Sequence, residues 1–135
     1  MKTLFKFSLI FLLLHALAAP AAITVTNIAQ GMASHSLFFK SDGSLWAMGY
    51  NNYGQLGDGT YSNTNQPEEI VASDVTAVTV GYGDSLFLKS DGSLWGMGHN
   101  TYGELGDSTV SYGTNQPDEI ISSGARPLRQ ERRIA

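Results

Sequence analysis

His35, Ser36 and Asp42 are the three residue types of a hydrolase triad, and they stand close together in the chain. Ser36 directly follows His35, and on an extended strand consecutive side chains point to opposite faces. A triad is defined by geometry, so this trio does not predict a hydrolase. The stretch 58–65, Asp-Gly-Thr-Tyr-Ser-Asn-Thr-Asn, is rich in oxygen atoms that suit calcium. It lacks the alternating acidic positions and terminal glutamate of the calcium loop and is expected to be a solvated loop. His15, His35 and His99 are too few and too far apart to suggest zinc. No glycine loop of the phosphate-cradling kind occurs. The sequence therefore predicts no enzyme, no metal and no cofactor. Recognition is a better prospect. The segments 58–66 and 107–116 differ in length and content, and they carry Tyr61, Asn63, Tyr112 and Asn115. Loops on a rigid scaffold commonly carry recognition, and tyrosine is a favoured contact residue, so these four are the candidate binding residues.

The elements that must position them come from a duplication. Leu37-Phe38-Phe39-Lys40-Ser41-Asp42-Gly43-Ser44-Leu45-Trp46 returns 49 residues later as Leu86-Phe87-Leu88-Lys89-Ser90-Asp91-Gly92-Ser93-Leu94-Trp95. Gly49-Tyr50-Asn51-Asn52-Tyr53-Gly54-Gln55-Leu56-Gly57 returns as Gly98-His99-Asn100-Thr101-Tyr102-Gly103-Glu104-Leu105-Gly106. A period near fifty residues marks an array of similar units.

Each unit divides into short strands separated by turn signals. Apolar runs at 36–40 and 45–48 flank Asp42-Gly43, which predicts a two-residue hairpin with positive φ at both central positions. Asp91-Gly92 repeats it. Further strands are expected at 24–29 and 75–80, and a fourth at 68–72 and 118–122, with Pro67 and Pro117 just before it. Nothing after the N-terminal stretch has a helical period, and 15 glycines and four prolines punctuate the chain. Four-stranded antiparallel units at this period predict an all-β fold of two propeller-type blades, an incomplete β-propeller, with repeats over 23–72 and 73–122.

The two ends differ from this body. Lys2 and Lys6 precede a stretch of thirteen mostly apolar residues, 7–19, and then small residues. That is the pattern of a secretory signal peptide over 1–18, with cleavage expected between 18 and 22. A membrane-spanning helix needs about 20 residues, so the mature chain is expected to be secreted or periplasmic, with no membrane span. Cysteine is absent, so burial and backbone hydrogen bonding must hold the fold without disulfides. Between Ala19 and Ala125, eleven carboxylates against two lysines leave a formal charge of −9, which would repel phosphates and argues against nucleic acid. Arg126, Arg129, Arg132 and Arg133 crowd the end of the chain, so 123–135 is expected to be a disordered basic tail.

The motif positions resemble the regulator of chromosome condensation repeat family. The resemblance lies in His35-Ser36-Leu37, Ser41-Asp42-Gly43-Ser44-Leu45-Trp46 and Gly49-x-Asn51-x-x-Gly54-Gln55-Leu56-Gly57, and in their second copies up to Gly106. It implies a scaffold role for the glycines, for Asn51 and Asn100, and for Trp46 and Trp95 between blades. Met48 and Met97 stand where many family repeats have a second tryptophan, and Asp84 where histidine is usual. The family fold is a closed ring of seven blades, and two are present here. The resemblance implies a non-catalytic module that binds an unknown protein partner, or associates with itself through open blade faces. It also admits a fragment of a longer repeat protein with no independent function. Less favoured implications are a secreted enzyme inhibitor, because an inhibitor of beta-lactamase has this architecture, and the founding member's guanine-nucleotide exchange. Export, two blades and an acidic body all disagree with exchange on a nuclear GTPase.

Overall fold

A computed structural model describes residues 21–124 except 31 and 33. The signal peptide and almost all of the basic tail predicted from sequence lie outside the described residues. Eight strands form two antiparallel sheets of four: β1 (Val25–Gln30), β2 (His35–Lys40), β3 (Leu45–Gly49) and β4 (Thr64–Val71), then β5 (Val75–Val80), β6 (Asp84–Lys89), β7 (Leu94–Asn100) and β8 (Ser111–Ile121). Strands are neighbours in chain order within each sheet, β1-β2-β3-β4 and β5-β6-β7-β8, so each repeat is one meandering blade. The described residues contain no helix. The all-β, two-blade expectation holds.

The hairpins turn differently from the expectation. Gly43 has φ of 80°, but Asp42 does not enter the left-handed region. The Gly43 N–H donates to Lys40 O at 2.9 Å, and Lys40 N–H donates to Ser44 O at 3.0 Å. That is a three-residue loop, a turn over Ser41 and Asp42 closed by a left-handed glycine. Only one positive φ is needed, which leaves the Asp42 side chain free to organise the entry to β3. Its Oδ1 accepts from the Ser44 N–H at 3.0 Å and from the Ser44 hydroxyl at 2.7 Å. Ser44 Oγ in turn accepts the Trp46 indole N–H at 2.9 Å, and Lys40 Nζ lies 3.6 Å from the centre of a Trp46 ring. The second repeat reproduces each link, with Trp95 donating to Ser93 Oγ at 2.8 Å. The Ser-Asp-Gly-Ser-Leu-Trp motif is thus a turn plus a polar relay that sets the tryptophan rotamer.

The fourth strands begin much earlier than expected, at Thr64 and Ser111, so Pro67 and Pro117 fall inside them. Both strands are at sheet edges, where a missing donor faces outward. Pro67 also sits in the irregular stretch where pairing steps from Gly49↔Thr64 to Ala47↔Glu68. The prolines mark a bulged edge rather than a strand start.

The hydrophobic core lies between the sheets. One face of the first blade, with Leu37, Phe39, Leu45 and Ala47, meets the opposite face of the second, with Phe87 and Met97 buried and Trp95 packed against them. Leu56 from the loop after β3 closes the core, and Leu37, Leu45, Ala47, Leu56 and Met97 have no exposed surface. At about 1.5–3 kcal/mol for each large apolar side chain buried, this seam dominates the stability. Trp95 lies between blades as expected. Trp46 lies beside Phe38, its cross-strand partner, on the opposite face of the first blade, which no second sheet covers among the described residues.

Candidate interaction surface

The loop after β3 builds the surface, and one asparagine shapes it. Asn51 is fully buried; its amide donates to Asp58 Oδ1 at 3.1 Å and to Thr60 O at 3.2 Å, while its Oδ1 accepts the Leu56 N–H at 2.9 Å. Asn100 repeats this with Asp107, Thr109 and Leu105. The oxygen-rich stretch considered for calcium therefore spends its carboxylate internally, since Asp58 Oδ1 also accepts the Thr60 N–H and hydroxyl. In Asp107 these hydrogen bonds from Thr109 hold the carboxyl below its ordinary range.

The first loop then crosses onto the second blade. Gly54 has φ of 82°, and a Cβ there would stand 2.5 Å from Asn115 Cα, so only glycine permits the approach. Gly59 N–H donates to Asn115 O at 2.8 Å, and the Asn115 amide returns a bond to Gly59 O at 2.8 Å. The Ser85 hydroxyl donates to Gln55 O at 2.8 Å, and His35 Nε2 lies 3.0 Å from Ser85 Oγ. Because Ser85 has one proton and gives it to Gln55, His35 must carry its proton on Nε2 and donate. Burial pushes the His35 pKa down, against the opposing charge of Asp84. A neutral ring matches this tautomer.

A histidine and a serine do meet, then, but not the pair the sequence juxtaposes. Ser36 faces away from His35, and Asp42 remains in its turn. Ser85 has no exposed surface, its proton points at a carbonyl, and His35 Nδ1 has no partner. A nucleophile needs access and an oriented base. This contact is a polar weld between blades.

The crossing loop also gathers aromatic rings. Tyr53 packs edge-on against His99 at 4.7 Å between centroids, lies 5.3 Å from Tyr112 and 6.2 Å from Tyr50, and His99 is 6.2 Å from Tyr102. A Cβ on Gly83 would touch the Tyr53 ring, which places the neighbouring Tyr82 at the same rim. The Tyr61 hydroxyl reaches Gly113 O at 3.5 Å, beside Tyr112. All six tyrosines of the chain thus collect on one rim. Tyr82, Tyr102 and Tyr112 are 70%, 86% and 67% exposed. Burial, then the neighbouring Tyr112, Tyr50 and Tyr82, raise the Tyr53 pKa, so its phenol stays protonated. Glu104 accepts from His99 Nδ1 at 2.7 Å and from the Tyr102 N–H at 2.8 Å. Burial would push Glu104 up, but these bonds and one from its own backbone hold it below its ordinary range.

Of the four residues expected to bind, Tyr61 and Tyr112 lie on this rim. Asn63 accepts the Asn51 N–H at 2.7 Å and Asn115 welds the blades, so both serve the scaffold. Tyr112 and Asn115 stand on β8 rather than in a loop. Tyr50, Tyr53, Tyr82, His99 and Tyr102 were not anticipated. A signal was available: Tyr53 and Tyr102 hold the same place in the two repeats, as do Tyr50 and His99.

Two meandering four-stranded sheets stacked face to face define adjacent blades of a β-propeller. Two family models described as Regulator of chromosome condensation (RCC1) repeat match the chain, one over 42–88 and the other over 25–55 and 75–104. The chain belongs to this repeat family. Human WBSCR16 is similar at 33% identity and a TM-score of 0.66, over 74% of this chain and 26% of its own. Prp20p from Saccharomyces cerevisiae, described with its binding to Gsp1p and histones, is 20% identical with a TM-score of 0.66, over 80% of this chain and 28% of its own. A structure of Kap60 bound to yeast RCC1 (Prp20) aligns at 23% identity and a TM-score of 0.63, over 72% of this chain and 23% of that one. The two yeast likenesses show the fold alone. The chain spans about a quarter of the length of these proteins.

Proposed function

We propose that this chain is an exported, non-catalytic module that binds a protein partner through its tyrosine rim. The observation that carries the reading is the convergence of all six tyrosines at one end, three of them more than two-thirds exposed. Tyrosine is enriched among the few residues that carry most of the binding energy at protein interfaces. Support for a non-catalytic role comes from the His35–Ser85 contact, where the chemistry-bearing groups are buried and spent on each other. The acidic body favours a basic or neutral partner over nucleic acid. Export rests on the N-terminal sequence pattern. Binding to a protein has a parallel in the Gsp1p and histone binding described for Prp20p.

The test is crosslinking in the extracellular fraction, followed by titration of the captured protein. Tyr82→Ala with Tyr112→Ala should weaken binding by about tenfold or more, with the unfolding midpoint unchanged. A captured partner indifferent to both substitutions sinks the rim as the site. Nucleotide release from a small GTPase should show no acceleration by the purified chain, and assays against extracellular enzymes separate a general binder from an inhibitor. A second reading, that the two blades are a piece of a larger ring, draws on the quarter-length match to the similar structures.

A further inference from the structure

We propose that the two sheet faces left uncovered among the described residues bind each other between copies, head to tail, reproducing the joint already present between the two blades. The uncovered faces are complementary in kind. The outer face of the second blade presents Leu86, Leu88 and Leu94, the repeat equivalents of Leu37, Phe39 and Leu45, around an apolar hollow of about 240 Å³. Leu88 is 38% exposed, whereas Phe39 is 7% exposed in the internal joint. The outer face of the first blade carries Ile28, 60% exposed, and the half-buried Trp46 and Met48 beside the already buried Phe38. These are the equivalents of Val78, Trp95, Met97 and Phe87, which fill the internal joint. One face is therefore the socket and the other the insert of a single repeated interface.

Polar groups say the same more specifically. In the internal joint the Gln55 carbonyl accepts from Ser85, the Gly43 carbonyl accepts from Val75 N–H at 3.0 Å, and Gly59 exchanges two bonds with Asn115. The equivalents on the outer face of the second blade are Glu104, Gly92 and Ser108. Ser108 is the informative one. It holds φ of 68°, matching Gly59 at 82°, in a conformation unfavourable for serine. That geometry would offer its backbone N–H and C=O to the next copy's Asn65, which heads Asn65-Gln66-Pro67 as Asn115 heads Asn115-Gln116-Pro117 fifty residues on. Tyr102, the counterpart of Tyr53, is 86% exposed and would rest on the next copy's Tyr50 as Tyr53 rests on His99. A Cβ on Gly106 would meet nothing, where its counterpart Gly57 covers Met97, so the next copy's Met48 has a place.

The joint departs from its template at several buried positions, with Leu88 for Phe39, Gly96 for Ala47, Glu104 for Gln55 and Asp84 for His35, and the last of these changes its hydrogen bonding. Asp84 stands where His35 stands, and it would face the next copy's Ser36. His35 donates to Ser85, whereas an ionised Asp84 can only accept, and the proton of Ser36 belongs to the Glu104 carbonyl. Association is therefore weakened by a buried carboxylate without a donor. The interface is heterologous, so copies add in one direction and close into a ring or extend. Propellers of about four to eight blades allow rings of two to four copies.

Sedimentation of the purified chain across a concentration series tests this. The expected result is concentration-dependent mass growth in whole copies. Asp84→His should tighten association by about tenfold or more, because it restores the internal donor. Leu88→Glu on the socket and Ile28→Glu on the insert should each be monomeric alone and form a one-to-one dimer when mixed. A chain that stays monomeric at high concentration even with Asp84→His overturns the proposal. So does self-association by either Leu88→Glu or Ile28→Glu alone, which would mark a face-to-face dimer or unspecific adhesion.

Discussion

Replacing Ser85 by alanine removes one oxygen from the blade seam and leaves its shape nearly unchanged. Three groups depend on that oxygen: the His35 Nε2–H, whose nitrogen lies 3.0 Å away, the Gln55 carbonyl oxygen 2.8 Å away, and the serine itself. Ser85 and Gln55 have no exposed surface and His35 is 1% exposed, so water cannot replace the lost partner. His35 Nδ1 already lacks one, so the substitution leaves the whole imidazole without a hydrogen bond. Orphaning one buried donor and one buried acceptor costs about 1–3 kcal/mol each when neither relaxes, so a loss of about 2–6 kcal/mol is expected. For a domain of this size that lowers the unfolding midpoint by about 8 °C or more. Urea unfolding followed by tryptophan fluorescence, at concentrations where the chain is monomeric, measures it directly. Ser36→Ala is the internal control, because Ser36 is the repeat equivalent of Ser85 on the uncovered face and should change stability by less than about 0.5 kcal/mol. Equal losses for the two serines, or a Ser85→Ala loss below about 0.5 kcal/mol, would refute the polar weld between blades.

Two further outcomes concern the same seam. Burial lowers the His35 pKa below its ordinary value of about 6.5, so below that pH the unfolded chain binds a proton that the folded chain resists. Stability from this group is therefore complete above about pH 6.5 and declines as pH falls toward the depressed folded value; His35→Gln should flatten the slope between pH 7 and 5, and an unchanged slope removes His35 as its cause. Gly54→Ala and Gly103→Ala impose the same left-handed strain, at φ of 82° and 80°, but only Gly54 would drive a Cβ into Asn115. Calorimetry should find about 1–2 kcal/mol lost for Gly103→Ala and at least about 2 kcal/mol more for Gly54→Ala; equal losses would mean that the loop crossing tolerates displacement.

Much of the fold was legible because its determinants are local. Asp42-Gly43 and Asp91-Gly92 announce hairpins, although their three-residue form with a single positive φ needed the hydrogen bonds of Lys40 to be seen. Asn51 and Asn100 are legible as loop residues because the partners of their side-chain amides lie within nine positions. Pro67 and Pro117 misplaced the fourth strands, since the rule that proline avoids a ladder gives way at a bulged edge. The rim was only half legible. Tyr61 and Tyr112 stood out by position in the variable segments, whereas Tyr53 contributes through His99 and Gly83, contacts that a linear reading does not contain.

The sequence by itself determined the period, the strand content, the turns and the family, because each arises from neighbours along the chain. The tertiary structure decided which copy of each motif is interior and which is bare. Leu37 and Leu86 share a motif, yet one has no exposed surface and the other borders an open hollow. His35 finds a serine fifty residues away, while its equivalent Asp84 meets no further blade among the described residues. The reason is that burial belongs to a pair of facing surfaces: the repeat encodes both halves of the joint in every blade, and only stacking fixes which halves come together.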